Sequence, residues 1–280
     1  MRWYDTDSMD NRDPARIERI AALVEPLLWR WFRPVIHGLD RIPAGTALYV
    51  GNHNAGMLTP DSYVFGIAAL RAHGVSALPY GLMHEVPIRW PLVHQLFVPM
   101  GAVRACPDNG LRALREGHKV LVYPGGDLDA MRSWRDRHKV IFGPRRGYIR
   151  LALRAGAPIV PVVTAGAHET YVILDDGRHI AEAIGADRLF RVKRWPVALS
   201  LPWGLTIGPT PPHFPWPSRM VMEVLPPVHF DRHGEGAAED ADYVERCHEQ
   251  VHGAMQAALV RLAAEREALN AAERRAKRGR

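Results

Sequence analysis

Short apolar runs that alternate with helical stretches predict an α/β fold with a central mixed sheet flanked by helices. Two further observations shape that expectation. An amphipathic helix opens at Asp13-Pro14, and a long helical stretch closes the chain over 240–267. With 47% hydrophobic and 24% charged residues, the 280-residue chain has a globular composition. No composition shift or Ser/Gly linker divides it, so one domain is expected over 1–280. Its parts are an N-terminal amphipathic helical segment (1–40), an α/β core (41–232), a C-terminal helix (238–270) and a basic tail (271–280).

Asp13 reads as an N-cap and Pro14 as the first helical position. Ile17, Ile20, Val24, Leu27, Trp31 and Val35 recur at three- and four-residue steps, which makes one apolar stripe. Pro26 lies within it and should kink or divide the helix. Trp29, Trp31 and Phe32 interleave with Arg30 and Arg33, which suits either a bilayer interface or a core-docking helix with snorkelling arginines. Beyond Pro43, strands are expected at 47–51, 75–80, 120–123, 159–163, 197–201 and 220–225. Helices are expected at 60–72, 109–116, 146–155 and 240–267.

Cys106 and Cys247 provide no disulfide framework, which fits a reducing compartment. The polar, mixed-charge start is no secretory signal. The longest run free of Asp, Glu, Lys and Arg is 195–218, and prolines at 196, 202, 209, 211, 212, 215 and 217 exclude a membrane-spanning helix there. That run reads as strand and loop in reach of a membrane surface. The net charge of +6 suits anionic lipid, a phosphorylated ligand or nucleic acid, and part of it sits in a tail, Arg274-Arg275-Ala276-Lys277-Arg278-Gly279-Arg280, expected to fray.

Three segments carry chemistry. Asn52-His53 lies where a buried strand meets a helix opening with Thr59-Pro60-Asp61. A histidine on such a turn can serve as a general base, and a carboxylate in the first helical turn can reach back to fix its tautomer. Asp61 is accordingly expected within hydrogen-bond reach of His53. Next, Val120-Leu121-Val122-Tyr123-Pro124-Gly125-Gly126-Asp127 is a strand ending in a glycine pair, either an ordinary turn or a loop whose N–H groups face a phosphate or oxyanion. Finally, Arg145 and Arg146 stand at a helix N-terminus, where they oppose the dipole unless an anion lies there.

In order, Asn52-His53, Gly101-Ala102-Val103-Arg104, Tyr123-Pro124-Gly125-Gly126 and Gly147 through Gly156-Ala157-Pro158-Ile159-Val160-Pro161 resemble the glycerolipid and lysophospholipid acyltransferase superfamily. The Pro-Gly-Gly form is most similar to its monoacylglycerol/diacylglycerol acyltransferase-like branch. The resemblance covers residues 50–163 well and the proline-rich segment to 228 loosely. It implies transfer of an acyl group from acyl-CoA or acyl carrier protein to a lipid hydroxyl, with no further cofactor. His53 matches the catalytic histidine, with Asp61 as its proposed partner. Asn52, Arg104, Gly125, Gly126, Arg145 and Arg146 become candidates for binding substrate or phosphate. The implied partners are acyl-CoA, a lipid acceptor and an anionic membrane surface, not nucleic acid, and the implied location is peripheral, on the cytoplasmic face.

This chain departs from the family pattern at defined points. Phosphate-handling members have His-x4-Asp, whereas Leu58 stands five residues after His53 and Asp61 is the nearest carboxylate. Gly125-Gly126-Asp127-Leu128 replaces their Glu-Gly-Thr-Arg loop, and Pro107 falls where their next arginine belongs. A neutral or glycosylated lipid alcohol is therefore at least as good an acceptor as a lysophosphatidate. These departures also leave open a non-catalytic lipid-binding protein on the same fold. A third reading is a zinc hydrolase, because His248-Glu249-Gln250-Val251-His252 fits His-Glu-x-x-His. Zinc needs a third ligand, no histidine follows His252, and Val244, Cys247, Val251 and Ala254 already explain the helix as a packing element.

Overall fold

The computed structural model describes residues 3–56, 58–83, 85–186, 188, 192–208 and 213–279. Prolines 209, 211 and 212 of the proline-rich run lie outside those residues. Seven strands form the main sheet: β1 (Val35–His37), β2 (Ala47–Gly51), β3 (Tyr80–Met83), β4 (Ala102–Arg104), β5 (Lys119–Val122), β6 (Ile159–Ala165) and β10 (Val221–Val224). Their order is β1-β10-β6-β2-β5-β3-β4, with every pairing parallel except β10 with β6. A separate antiparallel sheet joins β7 (Val172–Asp175), β8 (Val197–Ser200) and β9 (Gly204–Ile207).

The main sheet is covered on both faces, which is why its central strands read as unbroken apolar runs. In β2, Leu48 and Val50 face one core with Ile149, Leu153, Val251, Leu259 and Leu262. Ala47 and Tyr49 face the other, with Phe32, Val64, Phe65, Val162 and Met222. The first of these cores is closed by the helix Gly147–Ala155 and the C-terminal helix Ala241–Arg278. The second is closed by the helices Pro14–Phe32 and Pro60–His73.

Several sequence expectations are corrected. Pro26 lies inside one continuous helix, Pro14–Phe32, whose packing on both sides of the proline holds it together. The expected stripe also splits. Ile17, Ala21, Leu28 and Phe32 turn inward, while Leu23, Leu27 and Trp31, spaced four apart, are exposed. Residues 75–77 form a 3₁₀ turn and strand β3 begins only at Tyr80. Strands β1, β4, β7 and β9 were not expected at all. The basic tail is not frayed, because helix continues to Arg278 and Glu273 bonds Arg33, Arg219 and Lys277.

Candidate active site

The parallel strands β2, β5 and β6 end side by side, and ligand sites of open α/β sheets lie outside such carboxyl ends. Beyond Gly51 the chain leaves β2, and Asn52 fixes the departure. Its Nδ2 donates to the Thr164 carbonyl at 3.0 Å and its Oδ1 accepts from the Thr164 N–H at 2.9 Å. Asn52 is buried and fully used by the scaffold, so its assignment to substrate binding is corrected.

His53 is held through its backbone. Its N–H donates to Asp129 Oδ2 at 2.6 Å, and its carbonyl accepts from Arg132 Nη1 at 2.6 Å. Arg132 also donates to Asn54 Oδ1 at 2.6 Å and to Asp129 Oδ1 at 3.1 Å, and Ile141 N–H donates to that same oxygen. Asp129 and Arg132 are both buried. A buried ion pair hydrogen-bonded this extensively resists rearrangement, although Arg132 Nε is left without a partner, and removing one member strands the other. Burial still raises the Asp129 carboxyl, against the opposing pull of Arg132 and two backbone N–H groups.

With its backbone fixed, the imidazole lies 4.8 Å from the Tyr123 ring, centroid to centroid, at an interplanar angle of 50°. Tyr123 comes from the end of β5, and its hydroxyl is hydrogen-bonded to Ser62 Oγ. Gly51 makes room for that ring, since a Cβ there would sit 2.4 Å from Tyr123 Cε1. His53 Nδ1 is enclosed and has no hydrogen-bond partner. Burial, reinforced by the charge of Arg132 and opposed by the Asn54 backbone, lowers the imidazole to about 4. The ring is therefore neutral at physiological pH and able to take a proton.

The expected direct bond from Asp61 to His53 is not made. Asp61 is met instead by Asn54, which donates through Nδ2 to Asp61 Oδ2 at 2.8 Å and to the Asn52 carbonyl at 2.9 Å. Asp61 Oδ1 is buried and unpaired, facing a cavity of about 10 Å³ lined also by Gly51, Phe65, Tyr123 and Thr164, roughly the room one water needs. Burial raises this carboxyl to about 6, opposed mainly by the Asn54 hydrogen bond. The intervening loop turns through left-handed residues, Ala55 at φ 54°, Gly56 at φ 62° and Thr59 at φ 38°. Non-glycine residues held there store strain of about 1–3 kcal/mol each.

The glycine pair proves to be needed for packing. A Cβ on Gly125 would lie 2.3 Å from Asp129 Cβ and 2.4 Å from the Ile141 carbonyl, and one on Gly126 would lie 2.3 Å from Arg145 Nη1. The Gly126 N–H donates to the Tyr123 carbonyl at 3.1 Å, so it is not the oxyanion donor expected. The Gly125 N–H meets no acceptor among the described residues.

Of the three arginines, only Arg145 joins the site. It donates to the Gly125 carbonyl and to Asp127 Oδ1, both at 2.5 Å. Arg146 forks onto Glu245 of the C-terminal helix at 2.6 and 2.8 Å, so the anion expected at that helix start is a carboxylate of the protein itself. Arg104 forks onto Asp7 at 2.8 Å through both nitrogens. Its strand is third from β2, about 14 Å away at ordinary strand spacing.

The His-Glu-x-x-His histidines serve packing. His248 bonds the Tyr148 hydroxyl at 2.9 Å and His252 the Val140 carbonyl at 2.9 Å. Among the described residues no third His, Cys, Asp or Glu converges on them.

Comparison with known proteins fits this geometry. Residues 33–165 match the family model described as Acyltransferase, a span that contains His53, Asp61, the glycine pair, Asp129, Arg132 and Arg145. Over that span, a little under half of its length, the chain carries an acyltransferase domain. Uncharacterized protein Rv0502 of Mycobacterium tuberculosis is 29% identical to this acyltransferase over 251 residues, covering 88% of this chain and 67% of the relative. A mouse (Mus musculus) DGAT1/2-independent enzyme synthesizing storage lipids is 26% identical over 163 residues, covering 58% of this chain and 44% of that one. The acyltransferase also shares its fold with the crystal structure of the 1-acyl-sn-glycerophosphate (LPA) acyltransferase PlsC from Thermotoga maritima. That match has a TM-score of 0.56 at 17% identity, covering 92% of this chain and 86% of the other.

Proposed function

We propose that this acyltransferase moves a fatty acyl group from acyl-CoA, or from acyl carrier protein, to the hydroxyl of a glycerolipid, lysophospholipid or other lipid alcohol, with His53 as general base. The carrying observation is a neutral imidazole held by its backbone at the carboxyl ends of β2 and β5. The imidazole takes the acceptor proton as the hydroxyl oxygen attacks the thioester carbonyl. Collapse of the tetrahedral intermediate releases the thiolate, which recovers that proton from the imidazolium. Asp61 acts through Asn54, as a positioning residue. The Gly125 N–H and the Arg145 guanidinium supply the positive end for an oxyanion or for donor phosphates. The kinship with storage-lipid enzymes favours a lipid alcohol without phosphate.

Attachment to the membrane is peripheral, on the cytoplasmic face. Among the described residues no helix is long and apolar enough to cross a bilayer, while Leu23, Leu27 and Trp31 offer an exposed apolar stripe. Each cation of the basic C-terminal end adds about 1 kcal/mol of attraction to anionic lipid, so salt weakens binding. The test is mass spectrometry of lipid esters, together with assay of released thiol, after purified protein meets acyl-CoA and a mixture of lipid alcohols. Ester and thiol should appear in equal amounts. Lipid bound without thiol release would leave a binding protein instead.

A further inference from the structure

The three-stranded sheet lies outside the span matched by the acyltransferase family, and its two faces differ sharply. Ile173 of β7 and Ala198 of β8 point inward, buried with Ala55, Ala130, Met131 and Tyr171. Ala55 follows His53 by two residues, and Ala130 and Met131 stand between Asp129 and Arg132. The inner face thus rests on the loop that carries the base. Among the described residues the outer face is apolar and exposed. Leu199 pairs with Leu205 and Val197 with Ile207, which places these side chains on one face, with Leu205 62% and Ile207 66% exposed. Trp203, at the hairpin tip, and Phe214, bridged to Leu201, extend it.

Two contacts connect this face to its surroundings. Trp31 Nε1 donates to the Pro215 carbonyl at 2.9 Å, which brings the exposed Leu23-Leu27-Trp31 stripe beside Phe214. Glu273 bonds Arg33 at 2.6 Å and Arg219 at 2.8 Å, which ties the C-terminal helix, with exposed Arg274, Arg275 and Arg278 on it, to the end of the first helix that carries Trp31. Apolar surface with a tryptophan at its tip and cations at its rim is the composition of a protein seated in an anionic lipid interface.

We infer that the outer face of the β7–β8–β9 sheet docks into an anionic bilayer, so that the membrane bears directly on the element that backs the His53 loop. This rests on the peripheral attachment proposed above and gives it a second footing, distinct from the first helix. The test uses the full chain with vesicles of phosphatidylcholine and phosphatidylglycerol in equal parts. Sedimentation compares wild type, L205S/I207S and L23S/L27S, with circular dichroism confirming that each variant is folded. Tryptophan quenching by brominated phosphatidylcholine compares wild type with W203F. L205S/I207S should bind on the order of tenfold more weakly, the size expected for withdrawing two aliphatic side chains from partial burial. W203F should lose part of the quenching. The inference stands only if both effects appear. Wild-type binding by L205S/I207S, or quenching unchanged in W203F, overturns it and leaves peripheral attachment through the first helix intact, which L23S/L27S then reports. A wild type that does not sediment with vesicles overturns both. A lipid-free dimer that L205S/I207S converts to monomer overturns it in favour of a second copy as the occupant.

Discussion

His53 and His248 are both enclosed histidines lying against an aromatic ring, Tyr123 for one and Tyr148 for the other. Burial lowers both to about 4. What separates them is what their nitrogens and backbone meet. His248 gives Nδ1 to the Tyr148 hydroxyl, and the neighbouring His252 gives Nε2 to a carbonyl. His53 keeps Nδ1 unpaired, while a buried aspartate and arginine take up its N–H and carbonyl. A shifted pKa therefore does not mark a working histidine here. An unpaired ring nitrogen does not mark one either, since His168 Nδ1 and His213 Nε2 are also unpaired, and the role proposed for His53 rests instead on its place at the strand ends and on a backbone held by Asp129 and Arg132.

Replacing His53 should have the largest effect. His53→Ala should lower acyl transfer by ~10²–10⁴-fold with folding unchanged, as loss of a general base does. Single-turnover kinetics with acyl-CoA reads it, and wild-type turnover in the folded variant would end the mechanism proposed here. Asp129→Ala comes next, because it strands Arg132 in the interior and should cost about 3–5 kcal/mol in urea unfolding. If that variant is as stable as wild type, the loop owes its rigidity to something other than this pair.

Asp61 sharpens the contrast through pH. Its folded value of about 6 lies above its unfolded value, so its contribution to stability is complete below ~4 and is lost as pH rises through 6. His53 has the opposite sign. Its contribution is complete above ~6.5 and is lost as pH falls toward its folded value of about 4. Asp61→Asn should therefore gain on wild type by on the order of 2–3 kcal/mol as pH is raised across this range, while transferring acyl groups more slowly. A stability difference flat in pH would mean that the carboxyl titrates normally. The smallest effect belongs to the other histidine site. His252→Ala, and separately a zinc chelator, should leave turnover of the wild-type scaffold unchanged, and a loss with chelator would revive the zinc reading.

Much of this was legible in the chain, for reasons the structure makes plain. The central strands declared themselves because burial on both faces leaves no polar interruption, and the bounds of β2 match those read from the sequence. The His53 turn and the glycine pair could be found because each lies beside a strand end in local sequence, and Arg145 because it stands just ahead of a helix. What escaped was long-range pairing. Asp127-Leu128-Asp129-Ala130-Met131-Arg132 reads as a solvated turn until His53, 76 residues away, supplies the N–H that Asp129 accepts. The one available signal was a carboxylate and an arginine three apart around Ala130-Met131, directly after the glycines. Arg146 misled for the same reason, since Glu245, its partner, is 99 residues distant. Of the small sheet only β8 was legible, and β7 and β9 escaped because their exposed leucine and isoleucine stand where an ordinary surface strand would carry polar residues.

Asn52 carries a consequence of another kind. Its carboxamide imitates a peptide group against Thr164, accepting from the N–H and donating to the carbonyl, so the ladder between β2 and β6 runs one rung beyond the point where the backbone has turned away. An amide does both at once without a change of protonation. Hydrolysed to a carboxylate, as ageing asparagines are, the same side chain would set an acceptor against the Thr164 carbonyl and bury a charge beside it. Loss of that amide would undo the last rung between β2 and β6, directly before His53. The burial that makes this lesion so damaging is also what keeps water away from it.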